Sequence, residues 1–267
     1  MSDQEGADWI PAGADLSRPS AARIYDYLLG GAHNLAADRD VAQKLEAIQP
    51  QVAAVARRNR AFLRRVVRFM LERGIRQFLD LGSGIPTVGN VHEVAQAVDP
   101  RSKVVYVDHE PVAVAHSLML LKDNPNAEAL EADATDTAAV LGSEPVKKLL
   151  DLEEPVGLLA ITLGHYLPDV SRIFAAYRDA LAPGSHLALT HLTNDFAVLR
   201  DPKIAETMRS TQDSIYPRSR AEVLALFDGF ELVEPGLTTS ANWRPDRLAA
   251  VVDPEEDGLY AGVGVKP

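Results

Sequence analysis

The segment FLDLGSGIPT, residues 78–87, constrains the fold of this chain more than any other part of its sequence. A short apolar run reaches the acidic Asp80, turns on Gly82 and Gly84, and leads into a segment with the apolar periodicity of a helix. Glycine allows the backbone to approach a ligand that a Cβ atom would push away. This order of residues is typical of the first strand, loop and helix of a βαβ nucleotide-binding unit.

Two further candidate strands also end in an aspartate. Residues 104–107 precede Asp108, and residues 128–132 precede Asp133. Taken alone, a strand-end aspartate is more typical of a helix cap or a turn than of a binding site. The repeated spacing predicts a site, because the carboxyl ends of parallel strands form the edge where open α/β sheets bind ligands.

Length and composition limit the number of domains and the classes of partner and site that this chain can have. The 267 residues are enough for one large domain, or for a domain with an added lobe. A net charge of −11 disfavours nucleic acid and anionic membranes as partners. The sequence has no cysteine, which excludes disulfides, zinc–thiolate sites and thiol nucleophiles. No metal site is predicted, and without a signal-peptide pattern or a long apolar run we expect a cytoplasmic protein.

Two regions with different patterns are predicted. Residues 1–74 contain three helical signals and form an N-terminal helical lid, while residues 75–267 form the binding domain as one compact unit. In the second region, strands near 77–81, 103–107, 128–132, 156–163 and 185–192 alternate with helices near 88–98, 111–122, 169–181 and 219–228. This alternation predicts an α/β fold with a mostly parallel sheet. The segments 230–233 and 259–265 have no helix between them, which predicts an antiparallel C-terminal edge.

Asn59 is a polar residue on the apolar stripe of the third N-terminal helix. Buried polar groups need hydrogen-bond partners. The Asn59 side chain therefore either bonds to a neighbouring protein group or is directed into a ligand cleft. The arginines of the same helix are predicted to form a solvated face rather than a nucleic-acid site: Arg57, Arg58, Arg60, Arg64, Arg65 and Arg68.

The glycine loop is compatible with two cofactor classes, nicotinamide dinucleotides and S-adenosylmethionine (SAM). The dinucleotide fingerprint has a third glycine at the position of Thr87, and Pro86 stiffens a loop that would have to wrap a phosphate. Asp80 would repel a pyrophosphate but suits a ligand that carries an ammonium and a sulfonium. The charges therefore favour SAM.

The loop resembles motif I of class I SAM methyltransferases. The whole chain resembles an actinobacterial SAM-dependent methyltransferase family that was formerly catalogued as a domain of unknown function. The resemblance rests on residues 19–31, His33-Asn34, 37–39, 59–63 and 77–80, and Ala32 departs from the polar residue associated with that position. It implies a class I Rossmann-like methyltransferase fold, with SAM as the cofactor.

The resemblance also implies roles for individual residues. Asp80 would serve the methionine amino group, Asp108 both ribose hydroxyls, and His109 the adenine face. Asp133 and the Ala134 amide would contact the adenine edge. The remaining cofactor contacts predicted are Tyr25, Asn59, Gly82, Ser83, Gly84, Leu163, Gly164 and His165.

His165 is the candidate catalytic residue, because it follows the fourth strand and its ordinary pKa suits proton removal near neutrality. It is equally compatible with a cofactor contact or with a structural histidine. The substrate side is predicted to include His33, Asn34, Tyr166 and Trp243, together with the polar segment 194–216.

The predicted activity is methyl transfer from SAM to a small-molecule acceptor. The Asn/Asp-Pro-Pro-Tyr signature of amino-group methylation in DNA and proteins is absent after the fourth strand, which disfavours those acceptors. A SAM-binding regulatory or scaffold protein without turnover is the alternative, and a nicotinamide oxidoreductase is a more distant one. The oligomeric state is not predicted.

Overall fold

The computed structural model describes residue 11 and residues 16–87, 89–196, 201–246 and 250–267. Residues 1–10 and 12–15 of the predicted lid lie outside the described part of the chain. The same holds for residues 197–200, which belong to the segment predicted on the substrate side.

An eight-stranded sheet organises the molecule, with the strand order β3-β2-β1-β4-β5-β8-β6 and with β7 also paired to β8. Its strands are β1 (Gln77–Leu81), β2 (Lys103–Asp108), β3 (Ala127–Glu131), β4 (Gly157–Ile161), β5 (His186–Leu192), β6 (Glu231–Leu232), β7 (Thr238–Thr239) and β8 (Leu259–Val265). β1 to β5 are parallel, whereas β8 pairs antiparallel with β5, β6 and β7. The mostly parallel sheet with antiparallel C-terminal strands confirms the predicted fold class.

The strand order reverses between β1 and β4, because the chain first builds outward through β2 and β3 and then returns to the other side of β1. Such a switch point leaves a crevice at the carboxyl ends of the two central strands. The fold therefore directs any ligand site to the ends of β1, β2 and β4.

Helices surround the sheet and precede it. They are α1 (Ala21–Leu28), α2 (Ala36–Ile48), α3 (Val52–Glu72), α4 (Val91–Val98), α5 (Pro111–Leu121), α6 (Thr137–Leu141), α7 (Glu144–Leu149), α8 (Val170–Ala180), α9 (Pro202–Met208), α10 (Arg220–Ala225) and α11 (Pro254–Asp257). Local signals fix their starts: the Ser20 hydroxyl accepts the Arg23 amide at α1, and Pro111 opens α5 after the cap Glu110.

Two hydrophobic cores lie on opposite faces of the sheet, because successive strand residues point to opposite sides. Leu79 belongs to the core that α8 covers, while its neighbour Phe78 belongs to the core that α3 covers. Phe62, Val66 and Met70 of α3 are fully buried in the latter. Most of α3 is thus a component of the sheet's own core.

A third cluster joins the N-terminal helices to α9. Its buried members are Ile24, Leu28, Val41, Ala42, Leu45, Ala56, Ile204 and Met208. We call this cluster, with helices α1, α2 and α9, the lid. The division of the chain at residue 74 stays a prediction, and α3 contributes side chains both to the lid and to the sheet core.

Candidate active site

A cavity of about 350 Å³ lies at the carboxyl ends of β1, β2 and β4, beneath the lid. Its volume lies in the lower part of the range of small-molecule sites. The cavity brings together twelve of the residues predicted to bind cofactor or substrate: Tyr25, Asn59, Asp80, Gly82, Ser83, Gly84, Asp108, His109, Asp133, Ala134, Leu163 and Tyr166.

The glycine loop follows β1 in a conformation that glycine permits. Gly82 and Gly84 both have a φ of +64°, in the left-handed region. A Cβ atom on Gly82 would lie 2.8 Å from the Leu163 side chain, so glycine is also required for space. The Gly82 amide donates to the carbonyl of Val107 at 2.8 Å, which ties the loop to β2.

Asp108 ends β2 and is held by the backbone on both sides. Its Oδ2 accepts the Gly84 amide at 2.7 Å, and its Oδ1 accepts the Glu110 amide at 2.9 Å. Burial raises the pKa of the Asp108 carboxyl, while these two amides act in the opposite direction. The geometry gives a carboxylate with a fixed orientation at the wall of the cavity.

Asp80 is only 5% exposed, and burial raises the pKa of its carboxyl to about 7. The nearby Arg60 lowers that pKa and Asp108 raises it. A buried carboxyl with such a pKa in a cavity is a functional-site signal. It is poised to ionise when a cationic group binds beside it.

Asn59 is fully buried, and its Nδ2 donates to the Tyr25 hydroxyl at 2.9 Å. That hydroxyl in turn donates to the carbonyl of Ala56 at 3.1 Å. The Oδ1 of Asn59 has no hydrogen-bond partner among the described residues, although the side chain lines the cavity. One half of the Asn59 amide is thus satisfied by a neighbour, and the other half is left for a ligand.

Arg60 lines the cavity, and like Glu110 it is a charged residue that was not predicted there. Its Nη2 donates to the Thr87 hydroxyl at 2.9 Å, while its Nε is buried with no hydrogen-bond partner among the described residues. Arg65 of the same run donates to the carbonyls of Trp243 and Ser240 at 3.0 and 2.6 Å. The prediction of one solvated arginine face is therefore wrong for these two residues.

Asp133 and Ala134 follow β3 at the far side of the cavity. The Oδ1 of Asp133 accepts the Thr135 amide at 2.8 Å, and the Ala134 carbonyl accepts the Tyr177 hydroxyl at 2.9 Å. His109, which lies at the mouth, has a side chain that is 66% exposed, with its ring nitrogens 3.9 Å from Asp108 and Asp213. This end of the cavity is therefore formed by the polar turn at Asp133 and by the solvent-exposed imidazole of His109.

β4 ends in a strained residue. Thr162 has a φ of +58°, a value that β-branched residues rarely adopt, and its amide donates to the buried Thr190 hydroxyl at 2.9 Å. Thr162 and the adjacent Leu163 line the cavity. Strain of this kind persists only where the surroundings enforce it, and it is frequent at functional sites.

His165 does not reach the cavity. Its side chain is 2% exposed, its Nδ1 accepts the Leu192 amide at 3.4 Å, and its ring lies 5.6 Å from that of His191. Burial, His191 and Arg218 hold the pKa of the His165 imidazole well below its usual value. This placement does not support the predicted catalytic role and is compatible with a structural histidine. Gly164 is likewise absent from the described cavity wall, because it packs against His191.

Three residues predicted on the substrate side also lie elsewhere. Trp243 is fully buried between Phe62 and Phe69, with ring centroids 5.4 and 5.3 Å away, so it is a core residue. The His33 ring lies 3.9 Å from that of His116, outside the cavity wall. Asn34 is buried, and its Nδ2 donates to the carboxylate of Asp26 at 2.9 Å, which shapes the loop after α1.

The segment 212–214 closes the cavity from above, as part of the predicted 194–216 region. Its backbone meets the start of α1, where the Gln212 amide donates to the Pro19 carbonyl at 2.9 Å. The Asp213 carboxylate accepts the Ala21 amide at 2.8 Å. The entrance is therefore formed by two segments that are far apart in sequence.

Among the described residues, no group of three or more potential ligands is arranged to hold a metal ion, and no helix is long and apolar enough to cross a membrane. The donor set of the cavity instead suits an organic cation with a carboxylate. Asp80 and the free Asn59 Oδ1 provide acceptors, Arg60 provides a positive charge, and Asp108 provides a bidentate acceptor.

Comparison with known proteins agrees with this chemistry. Residues 7–267 match the family described as S-adenosyl methyltransferase. A crystal structure of a candidate methyltransferase from Thermobifida fusca is 42% identical, with a TM-score of 0.91 over 97% of this chain and 99% of that one. A DUF574 family protein from Streptomyces avermitilis is 36% identical, with a TM-score of 0.89 over 95% and 99% of the two chains.

A more distant structure, the magnesium protoporphyrin IX methyltransferase of Synechocystis with bound S-adenosylhomocysteine, is 14% identical. Its TM-score of 0.51, over 91% of this chain and 93% of that one, shows the shared fold alone. No curated protein matches the chain. Because the family model spans residues 7–267, the chain belongs to the S-adenosyl methyltransferase family, formerly DUF574, and its cofactor is SAM.

Proposed function

We propose that this protein transfers the methyl group of SAM to a small-molecule acceptor in the cavity beneath the lid. The observation that carries the proposal is the set of complementary charges on one wall. Asp80 lies near the Arg60 guanidinium, and within the described part of the chain the Asn59 Oδ1 and the Arg60 Nε have no hydrogen-bond partner. Such a set suits the zwitterionic end of an amino acid, which carries an ammonium and a carboxylate.

The remaining cofactor contacts follow from the strand ends. Asp108 would accept the ribose hydroxyls, since both of its oxygens are oriented by backbone amides and each retains lone-pair capacity. Asp133, Ala134 and His109 would border the adenine. Tyr25 would border the methionine side, with its hydroxyl held by Asn59 and Ala56.

Methyl transfer requires little acid–base chemistry from the protein. Bound SAM supplies an electrophilic methyl group on a sulfonium. The chain contributes positioning and exclusion of water, which account for several kcal/mol through proximity alone. His165 is not assigned as a base here, because its side chain is buried and does not line the cavity.

The cover over the site supports a small acceptor. The cavity has about 350 Å³, which SAM and the acceptor would share, and it is covered by α1 and by the segment 212–214. A small molecule could enter such a site whole, whereas a macromolecule could present only a side chain or an extruded base to it. Residues near the covered end that could contact the acceptor are Tyr166, Leu167, Gln212 and Ser214.

The first test is binding of SAM to the full chain by isothermal titration calorimetry. We expect one site, and we expect Asp108→Ala to weaken SAM binding at least tenfold. SAM and S-adenosylhomocysteine, but not NAD, should also raise the thermal stability of the wild-type chain. Unchanged affinity in Asp108→Ala would contradict the assigned pocket, and stabilisation by NAD alone would support an oxidoreductase.

The alternative, a SAM-binding protein without turnover, is favoured by the closed lid. Binding data cannot separate the two functions, so the second test detects product. The protein is incubated with SAM carrying a labelled methyl group and with a small-molecule extract, and the label is followed by mass spectrometry. Label in a new small molecule supports the transferase. Label retained in SAM across extracts supports the alternative.

A further inference from the structure

Arg23 is a fully buried arginine in α1, away from the face that lines the cavity. Its three nitrogen groups all have partners. Nε donates to Asp38 at 2.8 Å, Nη1 donates to Glu110 at 2.6 Å, and Nη2 donates to the carbonyl of Arg18 at 2.7 Å. Burial of a charge is costly unless it is paired and hydrogen-bonded, so this arrangement demands an explanation beyond chance.

The two carboxylates belong to different parts of the molecule. Asp38 is a fully buried lid residue, whose oxygens also accept the amides of Ser20 and Leu35. Glu110 follows β2 and caps α5, where its Oε2 accepts the Ala113 amide at 2.8 Å. Arg23 is thus an ionic link between the lid and the first turn of α5.

Glu110 is also connected to the proposed ribose carboxylate. Its backbone amide donates to Oδ1 of Asp108 at 2.9 Å, while the Gly84 amide orients Oδ2. A continuous series of bonds therefore runs from Asp38 through Arg23 and Glu110 to Asp108. Its members are 7% exposed or less, so solvent screens them weakly.

We propose that Arg23 is a positioning residue, which couples closure of the lid to the orientation of Asp108 for ribose binding. When the lid is in place, Arg23 fixes the Glu110 side chain, and the Glu110 backbone then presents its amide to Asp108. Because coupling between sites is reciprocal, a ligand bound at Asp108 also stabilises the closed lid. The inference rests on the proposed SAM pocket and adds a role for a residue outside it.

The test is a double-mutant cycle on the full chain, with SAM affinity measured by calorimetry. The variants are Arg23→Met, Asp108→Asn and the double variant. Arg23→Met should weaken SAM binding about tenfold in the wild-type background and less than twofold in the Asp108→Asn background. A merely structural role for Arg23 would weaken SAM binding equally in both backgrounds, and that result would overturn the proposal. Unchanged SAM affinity in both backgrounds would also overturn it.

A second variant guards against misfolding, because Arg23→Met leaves two buried carboxylates without their counter-charge. Glu110→Gln removes only one charge and preserves an amide oxygen for capping α5. It should weaken SAM binding at least fivefold and increase amide exchange in α1. An unchanged affinity in the folded Glu110→Gln variant would overturn the proposal.

The control is Arg101→Met, which removes a guanidinium that is 88% exposed and paired with Asp99. SAM affinity should be unchanged in this variant. If the wild-type chain binds no SAM, the proposed function fails and this inference fails with it. If the wild type binds SAM and Asp108→Asn weakens the binding, but the two positions show no coupling, this inference alone is wrong.

Discussion

At the scale of single residues, the buried Asp80 carboxyl determines how the cofactor site responds to pH. Burial raises its pKa from 3.8 to about 7, so the empty site holds much of it protonated at neutrality. In the proposed site, the ammonium of SAM pairs with the ionised form. Proton and ligand therefore compete for the same carboxylate.

We predict that SAM affinity falls about tenfold for each pH unit below 7 and levels off above it. Calorimetry from pH 5.5 to 8.5 measures this dependence, and Asp80→Asn should flatten it. The stability of the unliganded protein changes in the opposite direction. The contribution of Asp80 is present in full below pH 3.8 and is lost as the pH rises through about 7. A SAM affinity independent of pH would contradict the role of Asp80.

Thr162 permits a test of backbone strain at the end of β4. Its φ of +58° is unfavourable for any residue with a Cβ atom, by about 1–2 kcal/mol. We predict that Thr162→Gly is more stable than Thr162→Ala by about 1 kcal/mol, because alanine retains the strain. Urea denaturation of the two variants measures the difference. Equal stabilities would show that the conformation relaxes without cost.

The residues of the site were only partly predictable from sequence. Asp80 and Asp108 lie at the ends of β1 and β2, Asp133 follows β3, and the topology then brings the three residues to one edge. Arg60 was missed because helical position alone cannot show which side of a long helix faces a cavity. Trp243 was assigned to the substrate side because loops at the ligand edge vary with substrate, whereas tertiary packing places its side chain in the core.

At the scale of elements, the Arg218 side chain bridges several points of the loop after β4. Arg218 donates to the carbonyls of Gly164, Leu167 and Pro168 at 3.0, 2.8 and 2.9 Å, and to Nε2 of His191 at 2.9 Å. The loop carries Tyr166 and Leu167 to the cavity wall. Its shape therefore relies in part on bonds from this one side chain.

We predict that Arg218→Met lowers the free energy of unfolding by about 2 kcal/mol, because several carbonyls lose their donor. Denaturant titration measures the loss, and SAM affinity should fall with it. Arg172→Met is the matched control, since it removes an exposed pair with Asp169 that is worth little. Equal effects of the two substitutions would contradict the role of Arg218.

Most strands and helices of the binding domain were predicted within a few residues, but some short helices were missed. β1 was predicted at its observed bounds, since an apolar run between turn signals has few alternatives. The helices α6 and α7, of five and six residues, were missed because they are too short to show a period. Their caps, Asp136 and Ser143, were the available signals.

At the scale of the whole molecule, the lid has a hydrophobic cluster that is separate from the two sheet cores. Regions with their own small cluster open with a lower free energy than the global transition. We predict that amides in α1, α2 and α9 exchange with one shared opening free energy, below that of β1 and β4. Hydrogen exchange with mass spectrometry measures both groups, and SAM should protect the lid selectively.

A matched pair of substitutions checks the separation of the cores. Leu45→Ala, in the lid, should reduce protection there and leave the strands nearly unchanged, whereas Leu158→Ala, in a sheet core, should destabilise the strands by about 2–5 kcal/mol. Equal loss of protection throughout the chain in Leu45→Ala would show that the lid and the sheet unfold as one unit.

The position of β8 has a consequence for synthesis of the protein. β8 comprises residues 259–265 and lies between β5 and β6, both of which leave the ribosome earlier. Until β8 emerges, the exposed hydrogen-bonding groups along β5 present an unpaired edge that can recruit a foreign strand. The nascent chain must therefore emerge as far as β8 before the sheet closes. A stalled or prematurely terminated translation product would be prone to aggregation.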